Sequence, residues 1–253
     1  MAGHSKWANI KHRKGAQDNK RGKIFSKIAK EIMVCAKGSG GDPKQNITLR
    51  ALIQKARAAN MPADNIERAI KKGTGELDDG SVFEELVYEG YAAGGVALVI
   101  EALTDNKNRT IAEVKHAFTK AGANLATSGA VTRSFQRKGV ISVEAEGQDE
   151  DALMEVALEN GAEDFAQDGD FFTITTAPND FMTVADAFNE NEIPMMSSEV
   201  TLVPDMYTKV DDPKVVRQVL RFIDVLDDLD DIQNVHSTMD VDDEVMAASE
   251  EVE

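Results

Sequence analysis

Cysteine, tryptophan and proline are scarce in this 253-residue chain, with one Cys, one Trp and six Pro. The lone thiol, Cys35, has no intramolecular partner, so no disulfide holds the fold, as suits a reducing compartment. Its place near the apolar face of a helix predicts a buried, inert thiol. No apolar run approaches the roughly 20 residues that cross a bilayer. The basic N-terminal stretch lacks the apolar core of a secretory signal, so the expected location is the cytoplasm, with no membrane partner. Gly38-Ser39-Gly40-Gly41-Asp42 lacks the Lys-Ser/Thr that completes a phosphate loop and reads as an interhelical turn. His4, His12, His116 and His236 are not spaced with Cys or acidic residues as zinc ligands are. Carboxylate pairs after residue 140 follow from composition alone and identify no general acid. No catalytic residue, cofactor or metal is therefore expected.

Positive charge is missing over the longest stretch: there is no Lys or Arg between Gly139 and Thr208. The net charge of -17 would by itself repel a polyanion. Its distribution reverses that argument, because residues 1–75 hold 17 Lys/Arg against 5 Asp/Glu, whereas the remainder holds 11 against 40. A phosphate-contacting surface is expected in the first part of the chain.

Residues 1–21 read as a flexible basic arm and 22–78 as a basic three-helix domain. Ile24, Phe25, Ile28, Ile32 and Met33 recur at helical spacing between Lys23 and Lys37. Asp42-Pro43 suggests the start of a second helix burying Leu49, Leu52, Ile53 and Ala56, and a third from Pro62 to Lys72 buries Ile66, Ala69 and Ile70. After an acidic linker, Val82–Tyr91 and Val96–Thr104 flank a Gly94-Gly95 turn and a helix follows over Thr110–Lys120. A short run, Ala130–Phe135, closes that segment. From Gly139 the order is strand (Val140–Ala145), helix, strand, strand, helix, strand: the βαββαβ of ferredoxin-like folds. A helix over Pro213–Leu226 and a strand over Ile232–Met239 complete the earlier unit. The fold class is thus α+β and multidomain: the three-helix domain, then two α/β two-layer domains, with the acidic ferredoxin-like one (137–204) inserted in the other (79–136 plus 205–239). Residues 240–253 are expected to be an acidic disordered tail.

The arm carries His4, Lys6, Trp7, Lys11, His12, Arg13, Lys14, Lys20 and Arg21 among small and amide residues from which no core can be built. Such cations displace counterions from phosphates, and an indole face stacks on an unpaired base. A solvated tail with Trp7 packed on a neighbouring domain is the alternative. Lys23, Lys27, Lys30 and Lys37, at i, i+4, i+7 and i+14, form one stripe on the first helix. Only Glu31 is acidic between Asp18 and Asp42, so intrahelical ion pairs do not explain the stripe. Arg50, Arg57, Arg68, Lys71 and Lys72 extend the positive surface. Between strand and helix, Asp105, Asn106 and Asn108 can cap the helix, or Asn106, Asn108 and Arg109 can present donors to RNA or a partner.

The run Met1-Ala2-Gly3-His4-Ser5-Lys6-Trp7-Ala8-Asn9-Ile10-Lys11-His12-Arg13-Lys14, with Lys20-Arg21-Gly22-Lys23 and Phe25-Ser26-Lys27, closely resembles the start of the YebC/PmpR family, which includes mitochondrial translational activators of cytochrome c oxidase. The resemblance continues through Asn60-Met61-Pro62, Asp64 to Ile70, Tyr88-Glu89-Gly90-Tyr91, Thr104 to Thr110 and Gly129 to Gly139. It implies a three-domain fold and a non-catalytic role in gene expression, by DNA-binding transcriptional regulation in some members and ribosome-associated help with translation in others. The chain departs from the family pattern at Ala92-Ala93, Ala123 and Ala126, which puts the loop conformations there in doubt. The leading expectation is an RNA-directed factor docking on ribosomal RNA, with the acidic block facing away from phosphate or touching basic ribosomal proteins. A regulator on promoter DNA comes second, a protein-interaction adaptor using the acidic face third, and an enzyme last.

Overall fold

A computed structural model describes residues 21–77, 80 and 82–251. Helix α1 spans Arg21–Ser39, α2 Ile47–Ala58 and α3 Ala63–Gly73. Ile28, Ile32 and Ala36 lie four residues apart on one face of α1 and are buried. They meet Leu49 and Ala56 of α2, Ile66 and Ala69 of α3, and Met61 in one core. The cap of α2 is not at Asp42-Pro43, as the sequence suggests. Asp42 and Pro43 form a preceding turn, and Asn46 caps the helix by accepting from the Leu49 amide at 3.0 Å. Its own amide donates to the Gly40 carbonyl at 2.8 Å, so one buried side chain ties both ends of the turn.

Strands β1 (Glu84–Tyr91) and β2 (Ala97–Thr104) form a hairpin, followed by α4 (Lys107–Ala121) and β3 (Asn124–Leu125). Chain-distant β9 (Ile232–Ser237) completes an antiparallel sheet in the order β3-β1-β2-β9. Leu98, Ile100 and Ala102 alternate along β2 to face α4 and α7 (Pro213–Asp227), and Phe118 meets Phe222 edge to face at 4.9 Å between those helices. A Cβ at Gly90 would overlap the Phe118 ring and the Asn124 carbonyl. We expect Gly90→Ala to lower stability by about 1–3 kcal/mol, the usual cost of overpacking. An unchanged thermal midpoint would show that Phe118 moves freely.

Between the halves of this domain runs β4 (Phe135–Glu144), α5 (Glu150–Glu159), β5 (Ala162–Asp168), β6 (Phe171–Thr176), α6 (Phe181–Glu190) and β7 (Met195–Pro204). The sheet order β5-β6-β4-β7 is that of a ferredoxin-like fold. The sequence suggested a break before Gly139, but β4 is one ten-residue strand paired with β7 from Phe135↔Pro204 onward. Gly139 is needed for contact instead: a Cβ there would collide with Thr176 and Phe181. The β4–β7 ribbon thus joins the inserted domain to its host, and Phe135 and Leu202 at its base pack with Val131 on Val99, on the face of β2 opposite the helices.

Beyond β9, β8 (Thr208–Lys209) and β10 (Met239–Asp240) form a small parallel pair. The following segment differs from the disordered tail that its acidity suggests: Asp243–Glu251 is a helix, α8, packed along α7. Val245 and Met246 join the second domain's core and Ser249 is buried, which offsets the cost of ordering the segment. Among the described residues no helix is long and apolar enough to cross a membrane.

Candidate nucleic-acid interface

His4, Lys6, Trp7, Lys11, His12, Arg13, Lys14 and Lys20 lie outside the described residues, and Arg21 opens α1. Three lysines of the α1 stripe are paired across a domain joint, whereas Lys37 at its end is exposed. Lys23 donates to the Asp228 carbonyl at 2.9 Å and its carboxylate at 3.2 Å. Lys27 donates to the Asp227 carbonyl at 2.9 Å, and Lys30 to the Asp230 carbonyl at 2.9 Å and the Asp231 carboxylate at 3.1 Å. These acceptors sit at and just past the C-terminus of α7, where free carbonyls carry the negative end of the helix dipole. These three lysines form the joint between the three-helix domain and the second domain. Their partners lie some 200 residues away, beyond the reach of a local charge pattern.

Asp231 is the centre of that joint and is 1% exposed. Beside Lys30, it accepts from Arg109 Nη2 at 2.7 Å and Nε at 3.1 Å, from Thr110 at 2.9 Å and from Thr104 at 3.0 Å. Burial pushes its pKa up, but the donors of Arg109, Lys30, Thr110 and Thr104 outweigh it and hold the carboxyl below its ordinary value. Arg109 also pairs with Asp105 at 2.8 Å. Asn106 takes the capping role, accepting from the Arg109 amide at 3.1 Å. Asn108 is exposed in the first turn of α4.

Elsewhere on the helical domain the cations divide. Lys55 pairs with Glu31 at 3.0 Å, Lys71 pairs with Glu67, and Lys72 is half-buried. Arg50 and Arg57, seven residues apart on one face of α2, and Arg68 on α3 are exposed, as are Lys37 and Lys44. Among the described residues these five have no ion pair.

A second ionic cluster, partly buried, lies where ribbon and host sheet meet. Glu101 accepts from Arg137 at 2.8 Å and Asn234 at 3.2 Å, and contacts His236 Nε2 at 3.0 Å, while Thr201 of β7 reaches His236 Nδ1 at 3.3 Å. Burial raises the Glu101 pKa, but His236, Arg137 and Asn234 overcome it and hold the carboxyl at about 2. His236 is thus a structural histidine, and His116 is exposed on α4. Among the described residues no group of three or more His, Cys, Asp or Glu side chains is placed to hold a metal ion. The Cys35 thiol, half-buried rather than buried as the sequence suggested, donates to Asn46 Oδ1 at 3.5 Å. Burial raises its pKa, against the lowering effect of Asn46, so the reactive thiolate is disfavoured.

Two family models match the chain: the TACO1/YebC protein N-terminal domain over residues 5–76 and the TACO1/YebC second and third domain over residues 83–239. A protein of Desulforapulum autotrophicum named as a probable transcriptional regulatory protein is 53% identical over 98% of this chain and 100% of its own length. A protein of the same name from Treponema pallidum is 53% identical over 97% of this chain and 100% of its own. The crystal structure of a conserved hypothetical protein from Aquifex aeolicus, 43% identical, superposes with a TM-score of 0.84 over 95% of this chain and 98% of that one. With both family models matched in chain order and relatives similar along their whole length, this chain belongs to the TACO1/YebC family.

Proposed function

We propose that this regulator binds nucleic acid directly and acts without catalysis as a ribosome-associated translation factor on structured RNA. The arm and the open cations Arg50, Arg57 and Arg68, with Lys37 and Lys44 beside them, are its docking surface. One observation carries the reading: in a chain of net charge -17, these five cations have no ion pair among the described residues, while those at the domain joint are all matched to carboxylates or carbonyls. Unpaired cations beside the basic arm give the helical domain of this acidic molecule a local attraction for phosphate. The relatives' name favours a second reading, in which the same surface binds promoter duplex. In both readings the acidic ferredoxin-like domain points away from phosphate or meets a basic protein, such as a ribosomal one.

The test compares two triple variants on a ribosomal RNA fragment and on duplex DNA. Replacing Arg50, Arg57 and Arg68 together by Gln should lower the slope of log affinity against log salt by roughly 2–3, at about 0.7–0.9 per lost phosphate contact. Replacing Lys23, Lys27 and Lys30 by Gln should leave that slope nearly unchanged and instead loosen the domain joint. The reverse pattern would return docking to the α1 stripe. Unchanged slopes in both variants would remove the helical domain from binding, and a preference for duplex DNA would favour the transcriptional reading.

A further inference from the structure

Sequence counting treats everything after residue 75 as acidic, yet the second domain carries a cationic groove. It is an open depression of about 450 Å³ between α4 and α7. Its floor is apolar, made by Ala117, Ala121, Phe222 and Val225, and its rim holds Lys120 from α4 with Lys214, Arg217 and Arg221 from α7. Gln218 lies between them, donating to the Ala121 carbonyl at 3.2 Å, and no acidic residue lines the groove. Lys214, Arg217 and Arg221 stand at i, i+3 and i+7, which makes a single ladder roughly 10 Å long. Helices α4 and α7 run antiparallel, because Arg109 in the first turn of α4 meets Asp231 just beyond the end of α7. The groove is therefore at the far end of the pair from the joint, about 16 Å along α4 from Arg109.

What distinguishes these four side chains is that they lack a carboxylate partner and share one groove. Lys107, Arg109, Arg137, Lys138 and Lys209 of the two α/β domains each pair with a carboxylate. Lys120, Lys214, Arg217 and Arg221 do not, among the described residues, and neither do Lys115 and Arg133, although the chain offers 45 acidic side chains; only the first four line one groove. Asp212 is near, but its carboxylate caps α7 by accepting from the Lys214 amide at 2.9 Å. Val225 stays 41% exposed at the groove.

We propose that this groove is a second polyanion site, separate from the helical domain, and that it takes a single strand of polynucleotide. Phosphates lie on the cationic ladder and a base rests on the apolar floor, the combination by which single-strand grooves hold their ligand. A duplex keeps its bases paired and stacked and offers the apolar floor no free base face, whereas a single strand does. Arg217 and Arg221 add planar forks that match phosphate oxygens and stack on bases. The inference deepens the nucleic-acid reading: a structured element docks on the helical domain while an unpaired segment enters the groove.

The full-length chain would be titrated, at increasing salt, with fluorescent oligouridylate and oligodeoxythymidylate of about 12 nucleotides, and with a duplex. Lys214→Gln, Arg217→Gln and Arg221→Gln combined should weaken both single strands about tenfold at low salt. The same variant should reduce the salt slope by roughly 1.4–2, at about 0.7 per contact. Duplex binding and the thermal midpoint should stay as in the parent. Val225→Glu, which keeps every cation but places an acid at the floor, should weaken single strands severalfold. Stronger binding of the ribose strand would identify RNA as the source, and equal binding either polymer. Unchanged single-strand affinity and slope in the triple variant would overturn the groove, as would loss of binding only to a glutamate-rich peptide. If the parent bound no polynucleotide, the functional proposal would fail first. If the Arg50/Arg57/Arg68 variant lost binding while the groove variant did not, this inference alone would fail.

Discussion

Asp231→Ala should destabilise the protein by about 3–5 kcal/mol and free the three-helix domain from the second domain, because removing one partner of a buried ion pair leaves the other uncompensated. Arg109 and Lys30 would face each other across the vacated site, and Thr104 and Thr110 would lose a shared acceptor. Asp231→Asn keeps the shape but not the charge and should fall between. Denaturant unfolding gives the energy, and limited proteolysis between residues 77 and 84 reports release of the domain. A loss under about 1 kcal/mol with the linker still protected would show that the apolar contacts alone hold the joint. The pH dependence has a fixed sign. The folded-state pKa of Asp231 is depressed, so its contribution is complete above the ordinary carboxylate range and fades as pH falls through and below it.

Glu89→Ala should cost about 3 kcal/mol or more, since it orphans a set of buried backbone donors. Glu89 is 3% exposed on β1 and accepts from the amides of Gly129 and Val131, both at 2.6 Å, and of Thr132 at 2.9 Å. Burial works to raise its pKa, but Thr132, Gly129 and Val131 donors overcome it and bring it from 4.5 down to about 2. That loop leads into Phe135, so Glu89 sets the point at which the ribbon leaves the host sheet. The stabilisation is fully present above pH 4.5 and is lost as pH falls toward 2. Thermal unfolding from pH 5 to 2 should show a steeper decline in the parent than in Glu89→Gln, the difference excluding the similar contribution of Glu101. Parallel curves would mean that the loop is held without the carboxylate.

The helical spacing of Ile24, Phe25, Ile28, Ile32 and Met33, and the β-branched runs bounded by turns, made the helical domain and the βαββαβ order readable, because those signals are local. Long-range pairing was not. Nothing around Lys23, Lys27 and Lys30 tells that their acceptors are Asp227 to Asp231, and nothing near Arg109 tells that Asp231 occupies it. Gly139 read as punctuation because a glycine in a strand pattern has two meanings, a break or a close approach, and only the neighbours Thr176 and Phe181 decide. Helix α8 was hidden by its acidity: Val245 and Met246 are too few to signal a helix until α7 is beside them. The groove cations were lost in a regional count of eleven lysines and arginines against forty acids.

The β4–β7 ribbon also bears on the order in which the molecule forms. Pairing Leu98 of β2 with Ser237 of β9 closes a very long loop, about half of which is the inserted domain. The insert's contacts are more local, and its two ends, Phe135 and Pro204, are paired with each other. An insert that collapses first turns its residues into a short bridge and halves the loop that β9 must close, which lowers the entropic cost by about 0.6 kcal/mol. It also seats Leu202 against Val99 before β9 arrives. Pulse-labelled hydrogen exchange should therefore protect β4, β6 and β7 ahead of β9, so that the segment most easily read as an appendage is the template on which the split domain closes.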